Sequence, residues 1–191
     1  MSIKILENLF NSKIRPTVLK VFFANPSKDF DIKEIVKFSK ISKKAVEAEL
    51  NKLTRIGILK KKIQKRKRYY FLNEDFIFKD ELEKMFLKLQ PLLLKEIENK
   101  IKKIKGIELC ILSGYFLKTS SPVDLLIVGR NISQLEISRL IKKLEVDASR
   151  EFFWSYMSED EFKLRLQMND KFIREILSRP HLKVVNKISF H

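Results

Sequence analysis

Lys60-Lys61-Lys62-Ile63-Gln64-Lys65-Arg66-Lys67-Arg68-Tyr69-Tyr70-Phe71 decides the reading of this chain. Seven of the nine residues from Lys60 to Arg68 are cationic. Apolar residues frame and interrupt the run: Ile58, Leu59 and Ile63 on one side, Tyr69 to Leu72 on the other. Two short β-like segments joined by a basic turn predict a hairpin rather than a charged tail. Just upstream, residues 42–56 carry Val46, Leu50 and Leu53 at helical spacing, with Ser42 as the expected cap and Gly57 as the stop. The opposite face of that helix carries Lys43, Lys44, Glu47, Asn51 and Arg55. A helix followed by a strongly basic hairpin is suited to a polyanion, because crowded like charges repel until a partner relieves them.

The charge is unevenly spread. Net charge is +16 over 191 residues. Residues 1–105 hold 27 Lys and Arg against 13 Asp and Glu, a net of +14, whereas residues 106–191 hold 13 against 11, a net of +2. One half is expected to meet a polyanion and the other to do something else. A Lys-rich surface serving only solubility would explain the total but not the crowding at 60–68. The single cysteine, Cys110, excludes an internal disulfide and a Cys-based zinc cluster, and its apolar surroundings predict a buried, inert thiol. The opening residues do not read as a signal peptide, and no apolar run approaches the roughly 20 residues of a membrane span, so a soluble cytoplasmic protein without membrane contact is expected.

Outward from the hairpin, residues 3–10 predict a short helix. Ser12 and Pro16 open the next, in which Val18, Leu19, Phe22 and Phe23 recur up to Asn25-Pro26. Residues 32–38 predict a third helix, capped by Asp31 and buried through Ile32, Ile35 and Val36. Three helices and a hairpin make a complete domain within residues 1–79. Residues 80–105 read as a linking or dimerisation helix with the apolar stripe Leu82, Met85, Phe86 and Leu89, and Pro91 is expected to kink or break it. Gly106 is the expected boundary to a third segment, 106–191. There residues 107–112, 123–128, 151–157 and 182–185 read as strands, and 133–144, 158–166 and 170–177 as helices. That alternation predicts a small α/β domain.

The segments 12–26 and 32–59, followed by the Tyr-Tyr-Phe-Leu strand, resemble winged helix-turn-helix transcription regulators of the ArsR/MarR kind. The resemblance implies double-stranded DNA as partner, with the third helix in the major groove and the hairpin as a wing on the backbone or minor groove. Lys43 and Lys44 would reach phosphates or guanine edges, and Ser42 a phosphate. Glu47 would accept from a cytosine amino group or weaken nonspecific binding. Lys65, Arg66, Lys67 and Arg68 would supply salt-dependent phosphate affinity. Such regulators usually bind two half-sites as homodimers. Domains of this kind also serve as protein-interaction modules.

The segment Gly114-Tyr115-Phe116-Leu117-Lys118, then Ser121-Pro122-Val123-Asp124-Leu125-Leu126-Ile127-Val128-Gly129, is similar to the signature of minimal nucleotidyltransferases of the DNA polymerase β-like kind. That family implies two Mg²⁺ ions held by an Asp-x-Asp pair and a third carboxylate. Here Pro122 takes the first position and only Asp124 remains. Tyr115 stands where the family has serine and Thr119 where it has the second glycine, and Phe152, Phe153 and Trp154 occupy the third carboxylate strand. Asp124 reads either as a remnant metal ligand or as a strand-end residue without metal. The aromatic cluster of residues 152–156 reads as core, as interface or as a stacking surface. His181 and His191 lack partner motifs. The expectation is a two-domain α+β or α/β protein: a DNA-binding winged helix, a linking helix, and a degenerate transferase-like mixed sheet used for sensing, dimerisation or partner recruitment. No catalytic residue is assigned unless Asp124 is active. Gly114 and Asp124 are the candidate nucleotide contacts, and Mg²⁺ is expected only in an active site. An active transferase targeted by its winged helix and an antitoxin-like scaffold are the alternatives.

Overall fold

The computed structural model describes residues 2–188; His191 lies outside them. The fold is mixed α+β with two separate sheets. It divides into two compact units, residues 1–93 with 145–150, and residues 94–144 with 151–191.

In the first unit the helices are α1 (Ser2–Leu9), α2 (Ile14–Phe23), α3 (Ile32–Ser39) and α4 (Lys43–Ile56), followed by strands β1 (Leu59–Gln64) and β2 (Lys67–Leu72). Each boundary has a local cause. Ser12 Oγ accepts from Arg15 N at 3.1 Å ahead of α2. Asp31 and Glu34 form a reciprocal capping box on α3, with bonds of 2.9 and 3.0 Å. Gly57 stops α4 at φ 92°, a left-handed conformation that glycine adopts without steric cost. Ser42 departs from expectation, since its side chain makes no capping bond and only its carbonyl enters the helix, accepting from Val46 N. Val18, Leu19, Phe22, Ile35, Leu50 and Leu53 meet in one core, which the base of the hairpin completes through Leu59, Tyr70 and Leu72. Phe30 pairs with Tyr70 as an isolated antiparallel bridge, each amide donating to the other's carbonyl at 2.9 Å.

The stretch expected to kink or break at Pro91 is broken into two helices, α5 (Lys79–Leu87) and α6 (Gln90–Lys102). Pro91 sits in the first turn of α6, where its missing N–H costs nothing. The stripe Leu82, Met85, Phe86 and Leu89 is not left open for pairing. It packs on the first unit's own core, where Phe86 stacks on Phe23 at 4.9 Å.

The second unit is built on strands β3 (Ile107–Leu112), β4 (Leu125–Gly129), β5 (Trp154–Ser158) and β6 (Leu182–Asn186), with helices α8 (Glu159–Gln167) and α9 (Lys171–Leu177) and α7 (Gln134–Ala148) up to residue 144, the last turn of α7 belonging to the first unit. Sheet order is β5-β4-β3-β6. Only β4 and β5 run parallel; β3 is antiparallel to both its neighbours, so the sheet is mixed rather than a parallel α/β sheet. The inner strands are buried along both faces. The last strand but one begins at Trp154, not at 151, because the backbone of Phe153 bonds to Asp124 at the entrance of β4. Helix α7 runs past the expected 144 and opens with a capping box between Ser133 and Glu136. Ser158 caps α8 through Glu161 N, but Glu161 turns to Arg165 instead of completing the box.

At the end of β4, Arg130 holds Glu159 through two guanidinium hydrogen bonds, one of 2.8 Å, and Lys163 joins at 2.6 Å. Those bonds, Arg130's first and Lys163's second, hold the Glu159 carboxyl down to about 2 from its ordinary 4.5.

Two outcomes follow from this packing. Phe30→Ala is expected to lower the unfolding free energy of the first unit by about 3–5 kcal/mol in urea titration, since a buried ring and the seat of the hairpin are lost together. Glu159 stabilises the fold in its charged form, so its contribution is complete above its ordinary titration range and is lost as pH falls toward about 2. Melting temperature should therefore fall more steeply on acidification in the parent protein than in Glu159→Gln. Parallel pH profiles would refute that role.

Candidate nucleic-acid interface

Register and turn geometry set what the basic hairpin presents. Gln64 pairs with Lys67, so Lys65-Arg66 is a two-residue loop, with φ of 48° and 61°. Positive φ at both central residues defines a type I′ turn, which matches the twist of the strands but favours Asn-Gly. Side chains with a Cβ are strained there, and a long cationic one gains nothing locally. Across the ladder Lys60 faces Phe71, Lys61 faces Tyr70, Lys62 faces Tyr69 and Ile63 faces Arg68. No cation stands directly opposite another, which removes the worst of the repulsion. Lys62 also lies 5.4 Å from the Phe71 ring centroid.

The hairpin is graded from base to tip. Leu59, Tyr70 and Leu72 are buried, whereas Lys60 to Arg68 are exposed on both faces, with Ile63 at 76%. Two of the cations are neutralised within the chain: Lys60 Nζ lies 2.6 Å from Asp75, and Lys62 Nζ 2.5 Å from Asp29. Lys60 draws the Asp75 carboxyl below its ordinary range, chiefly through that hydrogen bond. Among the described residues Lys61, Lys65, Arg66, Lys67 and Arg68 have no acidic partner within 4 Å. Lys61 belongs with the four tip residues named from sequence; only the pairing of Lys60 and Lys62 separates it from its neighbours.

Helix α4 supplies the second surface. Ser42, Lys43, Lys44, Asn51 and Arg55 are exposed. Glu47 is half-buried and pairs with Lys43 at 3.9 Å, a surface pair worth little, so it trims the charge of the face without abolishing it. Lys44 and Arg55 carry no ion pair among the described residues. A groove of about 390 Å³ beside the first turns of α4 is lined by Ser42, Lys44, Ala48 and Lys52. The inner side of α4 is anchored by a pair not foreseen from sequence: Glu49, 5% exposed, accepts from Arg15 Nε at 2.7 Å. A buried carboxylate is tolerated because that partner is there.

The Gly114–Asp124 loop has a different character. Asp124 is buried, and both its oxygens are committed to backbone amides: Oδ1 accepts from Tyr115 N at 2.7 Å and Oδ2 from Phe153 N at 3.0 Å. Gly114 is required beside it, because a Cβ there would lie 2.4 Å from Oδ1 at a φ of 50°. Ser113 donates to the Val123 carbonyl and accepts from Ser121. The donor set does not fit the two Mg²⁺ ions of nucleotidyl transfer. Pro122 brings no side-chain oxygen, Asp124 is engaged, and among the described residues no group of three or more His, Cys, Asp or Glu is placed to hold a metal. Of the aromatic residues, Phe152 is buried against Tyr115 and Phe116, Tyr156 donates to the Ile132 carbonyl, and Phe153 stands exposed. Cys110 is buried in β3, and burial pushes its thiol up to about 12. His181 Nδ1 donates to the Arg179 carbonyl.

No protein-family model matches the chain, and no curated protein or solved structure matches it either. No helix among the described residues is long and apolar enough to cross a membrane.

Two substitutions test these assignments by urea denaturation. Lys65→Asn with Arg66→Gly is expected to raise stability by about 1 kcal/mol, because it places the favoured pair in the type I′ turn and removes two repelling charges. Asp124→Ala is expected to cost about 2–4 kcal/mol by orphaning two amides, and Asp124→Asn less, since one acceptor oxygen survives. A neutral Asp124→Ala would show that the loop does not depend on that carboxylate.

Proposed function

We propose that the chain is a duplex-DNA-binding regulator. Its first unit acts as a winged helix-turn-helix, with α4 as recognition helix and the β1–β2 hairpin as wing. The second unit is a transferase-like fold without catalysis, used for sensing, dimerisation or partner recruitment. The observation that carries this reading is the hairpin tip. Lys65 and Arg66 occupy the two positions where the backbone favours Asn-Gly, amid cations that lack acidic partners. Stability alone gives no reason for charge there, whereas a phosphate backbone does. The exposed Lys44, Asn51 and Arg55 on α4 add side chains suited to base edges and phosphates beside it. An active transferase would have one carboxylate to work with, and that one is bound to backbone amides.

The test is fluorescence anisotropy on duplex DNA at several salt concentrations. Affinity should fall steeply with salt. In Lys65→Asn with Arg66→Gly, the slope of log K against log salt should shrink by about 1.8 for two lost phosphate contacts. That variant keeps the turn folded, so a lost affinity is not a lost fold. An absence of binding at low salt, or an unchanged slope, would sink the reading. Tighter binding to an RNA duplex or single strand would redirect it.

A further inference from the structure

Within the second unit, α8, α9 and the start of β6 surround an open cavity of about 440 Å³. Leu166, Ile173 and Leu177 line it with apolar surface, and Arg174, His181 and Lys183 with basic groups. The acids nearby are already occupied. Asp170, also in the lining, spends Oδ1 on the amides of Phe172 and Ile173 at 3.1 and 3.2 Å. Glu175 pairs with Lys171 at 3.8 Å and Glu161 with Arg165 at 2.8 Å. Arg174 therefore has no carboxylate partner among the described residues, although it is exposed beside three apolar side chains. The imidazole of His181 is oriented by its Nδ1 bond to the Arg179 carbonyl, which leaves Nε2 as its uncommitted nitrogen.

We propose that this cavity binds a small organic oxyanion, a carboxylate or a phosphate monoester, with its charged end on Arg174 and its apolar body against Leu166, Ile173 and Leu177. A planar guanidinium takes a carboxylate or phosphate through two parallel hydrogen bonds. The volume falls in the range of small-molecule pockets and exceeds what a bare inorganic anion fills. Nε2 of His181 accepts from a ligand hydroxyl when the ring is neutral and donates to an oxyanion when it is protonated. The site belongs to the second unit and the basic hairpin to the first, and the proposal does not depend on DNA binding.

Isothermal titration calorimetry on the full chain tests it, with phenyl phosphate, benzoate, inorganic phosphate and benzyl alcohol at matched ionic strength. Saturable binding is expected for phenyl phosphate or benzoate, and which of the two binds tighter names the headgroup. Benzyl alcohol and inorganic phosphate should bind at least about tenfold more weakly, each lacking half of the recognition. Arg174→Gln should weaken the organic anion about tenfold, while Lys65→Asn with Arg66→Gly leaves it within about twofold. Arg174 is exposed, and an unchanged melting temperature would confirm that the variant folds. No saturable heat for either organic anion up to about 10 mM would overturn the proposal. So would equal affinity for inorganic phosphate, or binding lost in the hairpin variant and kept in Arg174→Gln.

Discussion

Two backbone hydrogen bonds between Phe30 and Tyr70, each 2.9 Å, govern the first unit. A two-stranded ribbon is marginal alone in water, and this one carries charges that oppose its closure. The bridge ties it to the segment entering α3, and the Tyr70 ring joins the helical core. With the base fixed, the ladder propagates outward to a tip exposed to solvent. Burial therefore grades from core to open solvent along one short element. The paired Lys60 and Lys62 fall near the base, and the cations without acids fall mostly beyond them. Charge that would burden the core is cancelled, and charge that can meet a partner is left standing.

The second unit turns a carboxylate to structural use. Asp124 lies where three chain segments converge: the turn after β3, the entrance of β4 and the approach to β5. A side chain that accepts from two amides at once ties these segments together. Gly114 is bound to that arrangement sterically, since any side chain would collide with the carboxylate. A glycine followed ten residues later by an aspartate is thus explained here by packing and hydrogen bonding. The same pair in another protein could serve a metal, and the difference lies in what surrounds the oxygens.

Much of this was legible in the sequence. The hairpin came from alternating apolar residues around a basic turn, and α4 from Val46, Leu50 and Leu53 with Gly57 as stop. Helix boundaries set by strong local chemistry, such as the Asp31 cap and the interruption at Pro91, were also readable. What escaped depended on distant partners. Glu49 carries no local sign of burial, because its partner Arg15 comes from α2. The stripe on α5 looked available for pairing until Phe23 stacked on Phe86. Lys61 could not be told from Lys60 and Lys62 because their acids, Asp75 and Asp29, come from loops beyond the hairpin. The cavity beside α9 was invisible because its lining comes from two helices and a strand, none of which carries a motif.

Cys110 gives the molecule a built-in clock. The sulfur sits in an inner strand, paired on one side with Ile127 and on the other with Val185, and its protonated form is inert toward thiol reagents. Alkylation must wait for β3 to part from its neighbours, so the labelling rate reports how often that sheet opens. The chain has no other cysteine, so this clock runs for the second unit alone, whatever the first is doing.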